Sequence, residues 1–494
     1  MQFSRAVQTA AGASAGLQAA AGPRSAAGPQ ASAGPKAAAP GRDRKIIILQ
    51  LDAEGFVKQG IEKLLDTVRQ RAGVNGLLLD TFWLSRSEGG HMGAIHAQYY
   101  KDIGINVKDL WAPDPKGLDV LAALAGPTRQ RGMTRTCIIK DMLPDKLPGA
   151  EKLCERDFNG AQAETTCKNN PFYRNLVLGA VEDAIRSYGV DGVMYMAERQ
   201  GAFTDTLGMR FRGKQRGQPG SRTCFCQFCR AKGEKLGIRF ERVKAGFEEL
   251  ERFVSAGRSR KRPADGYYVT LWRLMLRCPE LLMWEHLWHD SFRELLRLLH
   301  ARVKAVRPGV LFGSHIWPNH SMNPVFRAEQ DLSELSPYHD FIKVPLYYNC
   351  GGPRMASYIE SVSETVWGDV PPDELLQYHY RVLNYDEAPY KDLRRAGLYR
   401  SFVYRESKRA MDGARGAAVS ILPGIEIDIP LLRADLAGAS AEVARCTRES
   451  VRDVVKQAFR AEVPGVILSR EYTEMRPENL SGVGDAIREL GLKT

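Results

Sequence analysis

Short apolar runs alternate with amphipathic stretches from residue 45 to the end of the chain. Continuous apolar runs are typical of parallel strands that are covered on both faces. Such strands with helices between them predict a (β/α)8 TIM barrel, and a doubly wound sheet is the second possibility. The predicted strands are Lys45–Leu51, Gly76–Thr81, Thr136–Lys140, Asp191–Met196, Val310–His315, Asp340–Leu346, Ala417–Leu422 and Gly465–Ser469.

One helix has clear start and stop signals. Asn170 followed by Pro171 predicts an N-cap and a proline in the first turn, and Gly189 closes the helix. It leads directly into the fourth predicted strand. The following connection, about 201–308, is too long for a simple link, so we expect an insertion after strand 4 with extra helices.

The first 42 residues are rich in Ala, Gly, Ser, Pro and Gln and cannot form a core, so the barrel is expected to occupy 43–494. The stretch Thr9 to Gly22 resembles the weakly apolar core of a bacterial twin-arginine export signal, although only Arg5 precedes it. Periplasmic or secreted location is therefore expected, with the cytoplasm as the alternative.

Three cysteines, Cys224, Cys226 and Cys229, lie within six residues in a C-x-C-x-x-C pattern. Structural zinc sites use four such ligands in a tetrahedron. Cys167 is the preferred fourth ligand and Cys154 is its rival. A reduced cluster without metal or a disulfide is the alternative. Four thiolates leave no open coordination position, so the expected Zn²⁺ is structural rather than catalytic.

Composition narrows the function classes. The net charge is +12, from 70 Lys and Arg against 58 Asp and Glu, but the basic residues are spread along the chain, so nucleic-acid binding is not expected. No run of about 18 apolar residues occurs, so no transmembrane helix is expected. Nine cysteines, most of them isolated, argue against a disulfide framework.

Polar and aromatic residues follow the predicted strands, where a barrel places its active site. Aromatic faces and hydrogen-bonding side chains of this kind suit a saccharide. No glycine-rich phosphate loop is present, so a nucleotide cofactor is not expected. The residues expected to bind substrate are Asp52, Asp80, Trp83, Asp141, His315, Trp317, His320, Tyr347, Asn349 and Asp428. Glu198 follows strand 4, whereas Glu471 and Glu474 fit surface ion pairs better.

The segment from Cys167 to Cys229 resembles the clan A glycoside hydrolases, especially the family 42 β-galactosidases. The likeness lies in Cys167 before a Pro-x-Tyr-Arg helix start, here Pro171 to Arg174, in Glu198 after strand 4, and in the C-x-C-x-x-C cluster. In that family an asparagine directly precedes the acid/base glutamate, where this chain has Ala197. The resemblance therefore implies a glycosidase from a bacterial relative of that family. It does not imply which sugar this chain hydrolyses.

The resemblance also implies a retaining double-displacement mechanism. Glu198 corresponds to the acid/base, and Glu426 after strand 7 is the expected nucleophile, with Asp428 as second choice. The acid requires a raised pKa. Two other functions remain as alternatives. One is a degenerate barrel that only binds saccharide, and the other is a binder of anionic polymers or nucleic acid. The sugar, the linkage and the oligomeric state are left undetermined.

Overall fold

The protein forms a closed barrel of eight parallel strands. The computed structural model describes residues 44–82, 85–99, 117–141, 149–210, 222–428 and 445–494. Each barrel strand pairs with its sequence neighbours, and the first pairs with the last, so the predicted (β/α)8 architecture is confirmed. The strands are β1 Ile46–Leu51, β2 Gly76–Asp80, β3 Thr134–Lys140, β4 Gly192–Met196, β5 Leu311–His315, β6 Phe341–Leu346, β7 Ser420–Glu426 and β8 Gly465–Ser469.

Strand β7 differs most from its prediction, because it runs four residues further, to Glu426. Pro423 and Gly424 resemble a loop in the sequence, yet they pair with Val344 and Pro345 of β6. Gly424 leaves room for Lys343, since a Cβ atom would lie 3.0 Å from Cε of that side chain. The extension makes Glu426 the last strand residue, opposite Ser469 of β8.

The barrel interior has an apolar plug. Alternate residues of a strand face the same side, so each β strand sends every second residue inward. The plug consists of Ile48, Leu78, Ile138, Met194, Phe341, Leu422 and Ile467. Two residues further along, towards the carboxyl ends, the inward positions on β1, β2, β3, β5 and β6 become polar. The plug is thus the floor of an open polar cleft.

Helices surround the barrel. The helix Pro171–Ser187 begins at the expected N-cap, where the Asn170 side chain accepts a hydrogen bond from the N–H of Phe172. No described helix is both long and apolar enough to cross a bilayer. The other α-helices are Ala53–Gln59, Ile61–Ala72, Val120–Ala123, Ala125–Gln130, Ala202–Thr206, Gln227–Lys235, Phe240–Arg258, Tyr267–Arg277, Glu280–Val306, Pro324–Glu329, Leu332–Leu335, Gly351–Ser363, Pro372–Leu383, Tyr390–Ala396, Arg400–Gly413, Arg448–Arg460 and Pro477–Glu489.

The connection from β4 to β5 contains five of these helices, from Ala202–Thr206 to Glu280–Val306. The last of them packs beside Pro171–Ser187. This last helix therefore belongs to the ring of helices around the barrel. The four helices before it form the insertion after β4. A two-stranded hairpin, Cys154–Arg156 with Gln162–Thr166, lies in the connection from β3 to β4. Both connections supply cysteines, and they flank the strand that leads to Glu198.

Candidate active site

A layer of polar side chains lies on the apolar plug at the carboxyl ends of the strands. The Lys343 ammonium donates to Oε1 of Gln50 at 2.8 Å, and Nε2 of Gln50 donates to Oε1 of Glu471 at 2.6 Å. Across the barrel, Nζ of Lys140 lies 2.5 Å from Oδ2 of Asp80. These residues come from β1, β2, β3, β6 and the segment after β8, so they span the barrel mouth.

Glu198 is the accessible carboxylate of this layer. Its side chain is 43% exposed, and its Oε1 lies 3.0 Å from Nε2 of the buried His315. Burial by the barrel wall acts to raise the pKa of Glu198. The hydrogen bond from His315 and the positive charges of Arg354 and Lys140 outweigh it and lower this pKa below its ordinary value. Glu198 is therefore an anion at neutral pH.

The imidazole of His315 is neutral at this position. Burial lowers its pKa below the ordinary value, despite the contact with Glu198. Its Nδ1 atom has no hydrogen-bond partner within the described part of the chain. A neutral ring with the proton on Nε2 accounts for both facts, because Nε2–H then donates to Glu198 while Nδ1 is a bare acceptor.

The pKa of Glu471 is shifted in the opposite direction from that of Glu198. Burial and the negative charge of Asp80 raise the pKa of this carboxyl well above its ordinary value. Its Oε2 is buried, and so is Oδ1 of Asp80; neither atom has a hydrogen-bond partner among the described residues. The expected surface ion pair is wrong for Glu471, although Glu474 does pair with Arg470 at 3.1 Å.

Glu198 and Glu471 both lie close enough to Lys140 and Lys343 for their charges to interact. Burial lowers the pKa of Lys343 to about 8, and the charges of Glu471, Glu198 and Asp80 oppose this shift. The same three carboxyl groups raise the pKa of Lys140 against its own burial. The exposed, ionised Glu198 and the Glu471 carboxyl, whose pKa is raised, thus both lie near the two lysines.

Gln50, Lys140 and Lys343 were not expected from the sequence. Each ends or interrupts an apolar strand pattern, as in the runs IIILQL, TRTCIIK and FIKVPL. An isolated polar residue at an inward position of a predicted barrel strand is the signal that could have identified them. Charged residues are almost never fully buried without a partner or a function.

Glu426 lies in a more enclosed position. It is 1% exposed, and its Oε2 accepts hydrogen bonds from the backbone N–H groups of Asn349 at 2.9 Å and Cys350 at 3.3 Å. These groups lead into the helix Gly351–Ser363. Burial raises the pKa of Glu426, partly offset by the contacts with Cys350 and by the charge of Arg354. The carboxyl anchors this helix start to the end of β7.

Burial raises the pKa of the Tyr347 phenol, and the charge of Glu198 adds to this shift, so the two side chains lie near each other. Asp52 caps the helix Ala53–Gln59 and lies close enough to Glu471 and Asp80 for their charges to interact. Asn349 supports Glu426 through its backbone and donates its amide to Sγ of Cys446 at 3.1 Å. Trp83 lies outside the described residues.

Four predicted substrate residues have partners that do not belong to the polar layer. Asp141 follows the inward Lys140 and therefore faces outward, where it accepts from Arg199 at 2.6 Å. His320 lies 3.6 Å from Glu406 of the helix Arg400–Gly413. Trp317 is buried edge-on against Phe326. Asp428 lies two residues beyond the end of β7 and binds Arg476 at 2.7 Å and Asn479 at 2.9 Å.

The four predicted metal ligands converge. The Sγ atoms of Cys167, Cys224, Cys226 and Cys229 all lie within 4.8 Å of one another. Cys167 is 3.4 Å from Cys226 and 3.6 Å from Cys229, too far for a disulfide of about 2.05 Å. Zn–S bonds of about 2.3 Å imply S···S edges of about 3.8 Å, so the set fits a tetrahedral zinc ion. Cys154, the rival ligand, is not part of this group.

A buried charge network connects the cysteine cluster to Glu198. The guanidinium of Arg199 binds Asp141, Glu155 and the carbonyl oxygen of Thr166. Thr223 donates to the same Glu155. Thr166 and Thr223 directly precede Cys167 and Cys224, and Arg199 directly follows Glu198. The position of the cysteine cluster is therefore transmitted to the backbone of the candidate catalytic residue.

A second anchor holds the chain just beyond Glu198. The Glu285 carboxylate accepts from the N–H of Phe203 at 2.9 Å and from the hydroxyl of Thr204 at 2.6 Å. Gly201 leaves room for this contact, because a Cβ atom there would lie 2.1 Å from Oε2 of Glu285. Nε2 of His289 lies 2.7 Å from Glu329 and 3.8 Å from Glu285.

The contacts of His289 with two glutamates lead us to expect a loss of stability at alkaline pH. Despite burial, Glu285 and Glu329 raise its pKa to about 9. Its contribution is fully present below the unfolded pKa of about 6.5 and is lost as pH rises towards 9. We expect the free energy of unfolding to fall by on the order of 3 kcal/mol over this range, measured by urea denaturation. His289→Gln should flatten the decline.

His300→Gln is the control for this measurement, because burial lowers the pKa of His300 and its replacement removes no alkaline loss. If wild type and His289→Gln lose equal stability between pH 6 and 9, the charged His289 anchor is excluded.

No protein family matches the sequence, and no curated protein matches it significantly. Among solved structures, the chain is similar to a β-galactosidase from the Antarctic haloarchaeon Halorubrum lacusprofundi, with a TM-score of 0.52 and 11% identity over 90% of this chain. A β-galactosidase from the psychrophilic Marinomonas ef1 gives a TM-score of 0.51 and 10% identity over 91% of this chain. The chain spans 58% and 61% of those proteins' lengths. At such identities the likeness establishes the barrel fold alone.

Proposed function

We propose that the protein is a glycoside hydrolase that acts at the polar layer of its barrel mouth. The observation that carries this proposal is that an exposed, ionised Glu198 and a Glu471 carboxyl with a strongly raised pKa lie near the same two lysines. Two carboxyl groups with opposite protonation states are the requirement for glycoside hydrolysis. The β-galactosidases of similar fold agree with this class, and the substrate is a saccharide whose sugar is left open.

The assignment of roles follows from the protonation states. Glu198 is too acidic to store a proton at neutral pH, so it suits the nucleophile rather than the acid expected from the resemblance. Glu471 suits the proton donor, because its raised pKa favours the protonated carboxyl and Gln50 holds its Oε1. Glu426 supports the site through the helix start at Asn349 rather than touching the sugar.

The proposed reaction is a double displacement with retention. A Glu198 oxygen attacks the anomeric carbon, the glycosidic C–O bond breaks, and Glu471 gives its proton to the departing oxygen. Glu471 then takes a proton from water, whose oxygen attacks the anomeric carbon and releases Glu198. His315 holds the carboxylate of Glu198 in place through its Nε2–H group.

We further propose a structural zinc ion held by Cys167, Cys224, Cys226 and Cys229. Bound there, the metal would cross-link the two connections on either side of β4 and take no part in bond cleavage. The Arg199 network would carry this restraint to Glu198.

Hydrolysis of a panel of nitrophenyl glycosides tests the function directly. The full chain should release nitrophenol from at least one neutral glycoside, and Glu449→Gln, a change at a distant exposed carboxylate, should behave as wild type. Equal inactivity of wild type and Glu198→Gln across the panel, with saccharide binding retained, would instead identify a degenerate barrel. Salt-dependent binding of DNA or RNA would favour the anionic-polymer class.

Glu471→Gln should separate the proton donor from the nucleophile. We expect a loss of about 10² to 10⁴-fold on a glycoside with a poor leaving group, because the departing oxygen then needs a proton. On a dinitrophenyl glycoside, whose leaving group needs none, the loss in bond cleavage should be far smaller. Pre-steady-state kinetics on both substrates measure this step. Equal losses on the two substrates would exclude Glu471 as the donor.

A further inference from the structure

A surface cavity of about 570 Å³ lies in the connection after β6, outside the polar layer of the barrel. Its walls come from Trp367, from the helix Pro372–Leu383 and from the segment around Tyr390. Its volume is within the range of small-molecule sites, about 300 to 1,000 Å³. None of its lining residues serves the proposed reaction, so its composition needs a separate explanation.

Aromatic faces dominate one side of the cavity. The Trp367 indole stacks on the ring of Tyr268, with centroids 4.7 Å apart and an interplanar angle of 13°. This contact fixes the indole plane. Tyr378 lies 5.8 Å from Trp367 and is 47% exposed. The Tyr390 hydroxyl donates to Glu360 at 2.6 Å, which orients a third ring. Three aromatic rings, two of them held by contacts with neighbouring residues, thus line the same cavity.

Hydrogen-bonding groups line the remaining wall. Asp373, Glu374, Gln377 and Arg381 all belong to the helix Pro372–Leu383 and reach the cavity. None of them has a hydrogen bond or ion pair with another described side chain, so their polar atoms are available to a ligand. Two acids and one base give the wall a net charge of −1, which disfavours an anionic ligand.

We propose that this cavity is a second saccharide-binding site, which takes a neutral oligosaccharide chain. Flat aromatic faces contact the C–H surfaces of a sugar ring, while carboxylate, amide and guanidinium groups bind its hydroxyls. The charge of the wall excludes uronic-acid polymers from the same role. This site follows from its own lining and would bind saccharide whether or not the barrel mouth is catalytic.

Native gel electrophoresis in gels that contain a neutral polysaccharide tests the site. The probes are β-1,4-galactan, arabinoxylan and mixed-linkage β-glucan, with polygalacturonate as the charged comparison. We expect at least one neutral polymer to retard the full chain, and Glu198→Gln to be retarded equally. Tyr378→Ala should weaken the apparent affinity about tenfold or more. Tyr399→Ala, a change at a tyrosine that is 46% exposed elsewhere, should leave it unchanged.

Several results would overturn the proposal. They are no retardation by any of the three neutral polymers, retardation that Tyr378→Ala leaves intact, or retardation by polygalacturonate alone. A loss in Glu198→Gln and not in Tyr378→Ala would assign binding to the barrel mouth. Sedimentation provides a further check, because a dimer that Tyr378→Ala dissociates, without polysaccharide retardation, would make this face a contact between copies of the chain.

Discussion

Replacing Glu198 by Gln should lower kcat/KM on any glycoside that the wild-type protein hydrolyses by roughly three orders of magnitude or more. The amide has nearly the same shape but cannot attack the anomeric carbon, and His315 can still hold it. The structure should therefore be unchanged, and the midpoint of thermal unfolding should shift by only a few degrees. Steady-state kinetics and thermal denaturation of both proteins measure the two quantities.

Azide distinguishes the possible roles of Glu198. In Glu198→Ala, azide can enter the space of the missing carboxylate and restore turnover. If Glu198 is the nucleophile, azide attacks the substrate itself and the glycosyl azide has inverted configuration. If Glu198 is instead the acid/base, azide replaces water in the second step and the product has retained configuration. We expect inversion, and retention would return Glu198 to the role that the resemblance implies.

Loss of the proposed metal should have the second-largest effect. Cys226→Ser should remove about one zinc ion per chain, measured by elemental analysis, and lower the thermal midpoint by about 5 to 10 °C. Hydrolysis should fall as well, because the Arg199 network connects Thr166 and Thr223, next to two of the ligands, to the residue after Glu198. A chelator should reproduce these changes in the wild-type protein, and added Zn²⁺ should reverse them.

Two other cysteines serve as controls. Cys278 lies in the same long connection but outside the cluster, and Cys154 was the rival ligand. Cys278→Ser and Cys154→Ser should keep their zinc, although the buried Cys154 can show a modest stability loss. A protein that contains no zinc, with Cys226→Ser as stable as wild type, would contradict the structural role of the metal.

The sequence predicted the barrel because continuous apolar strands are a strong signal of a buried parallel sheet. The end of strand β7 was misplaced because Pro423 and Gly424 resemble a loop, although both pair with β6 and Gly424 leaves room for Lys343. The helix start at Asn170 was predicted correctly, since capping depends on neighbouring residues alone. Convergence of Cys167 with the distant cysteines followed from the resemblance and from ligand chemistry rather than from local pattern.

The active-site residues were harder to predict than the fold. Whether a side chain points into the barrel depends on whether its position in the strand is odd or even. Asp141 and Asp428 follow strands, as active-site residues do, yet Asp141 faces outward to Arg199 and Asp428 forms an ion pair with Arg476. Lys343 faces inward from the middle of an apolar run. The protonation state of Glu198 depends on His315, Arg354 and Lys140, which lie on other elements. No local sequence signal carries that information.

Covalent labelling tests the central claim most directly. A glycoside with fluorine in place of the hydroxyl beside the anomeric carbon, and with a good leaving group, slows the second step and traps the intermediate. After incubation, mass spectrometry of the digested protein should find one added sugar on the peptide that contains Glu198. A label on Glu426 or Glu471, or turnover of the parent glycoside without any label, would contradict the proposed nucleophile.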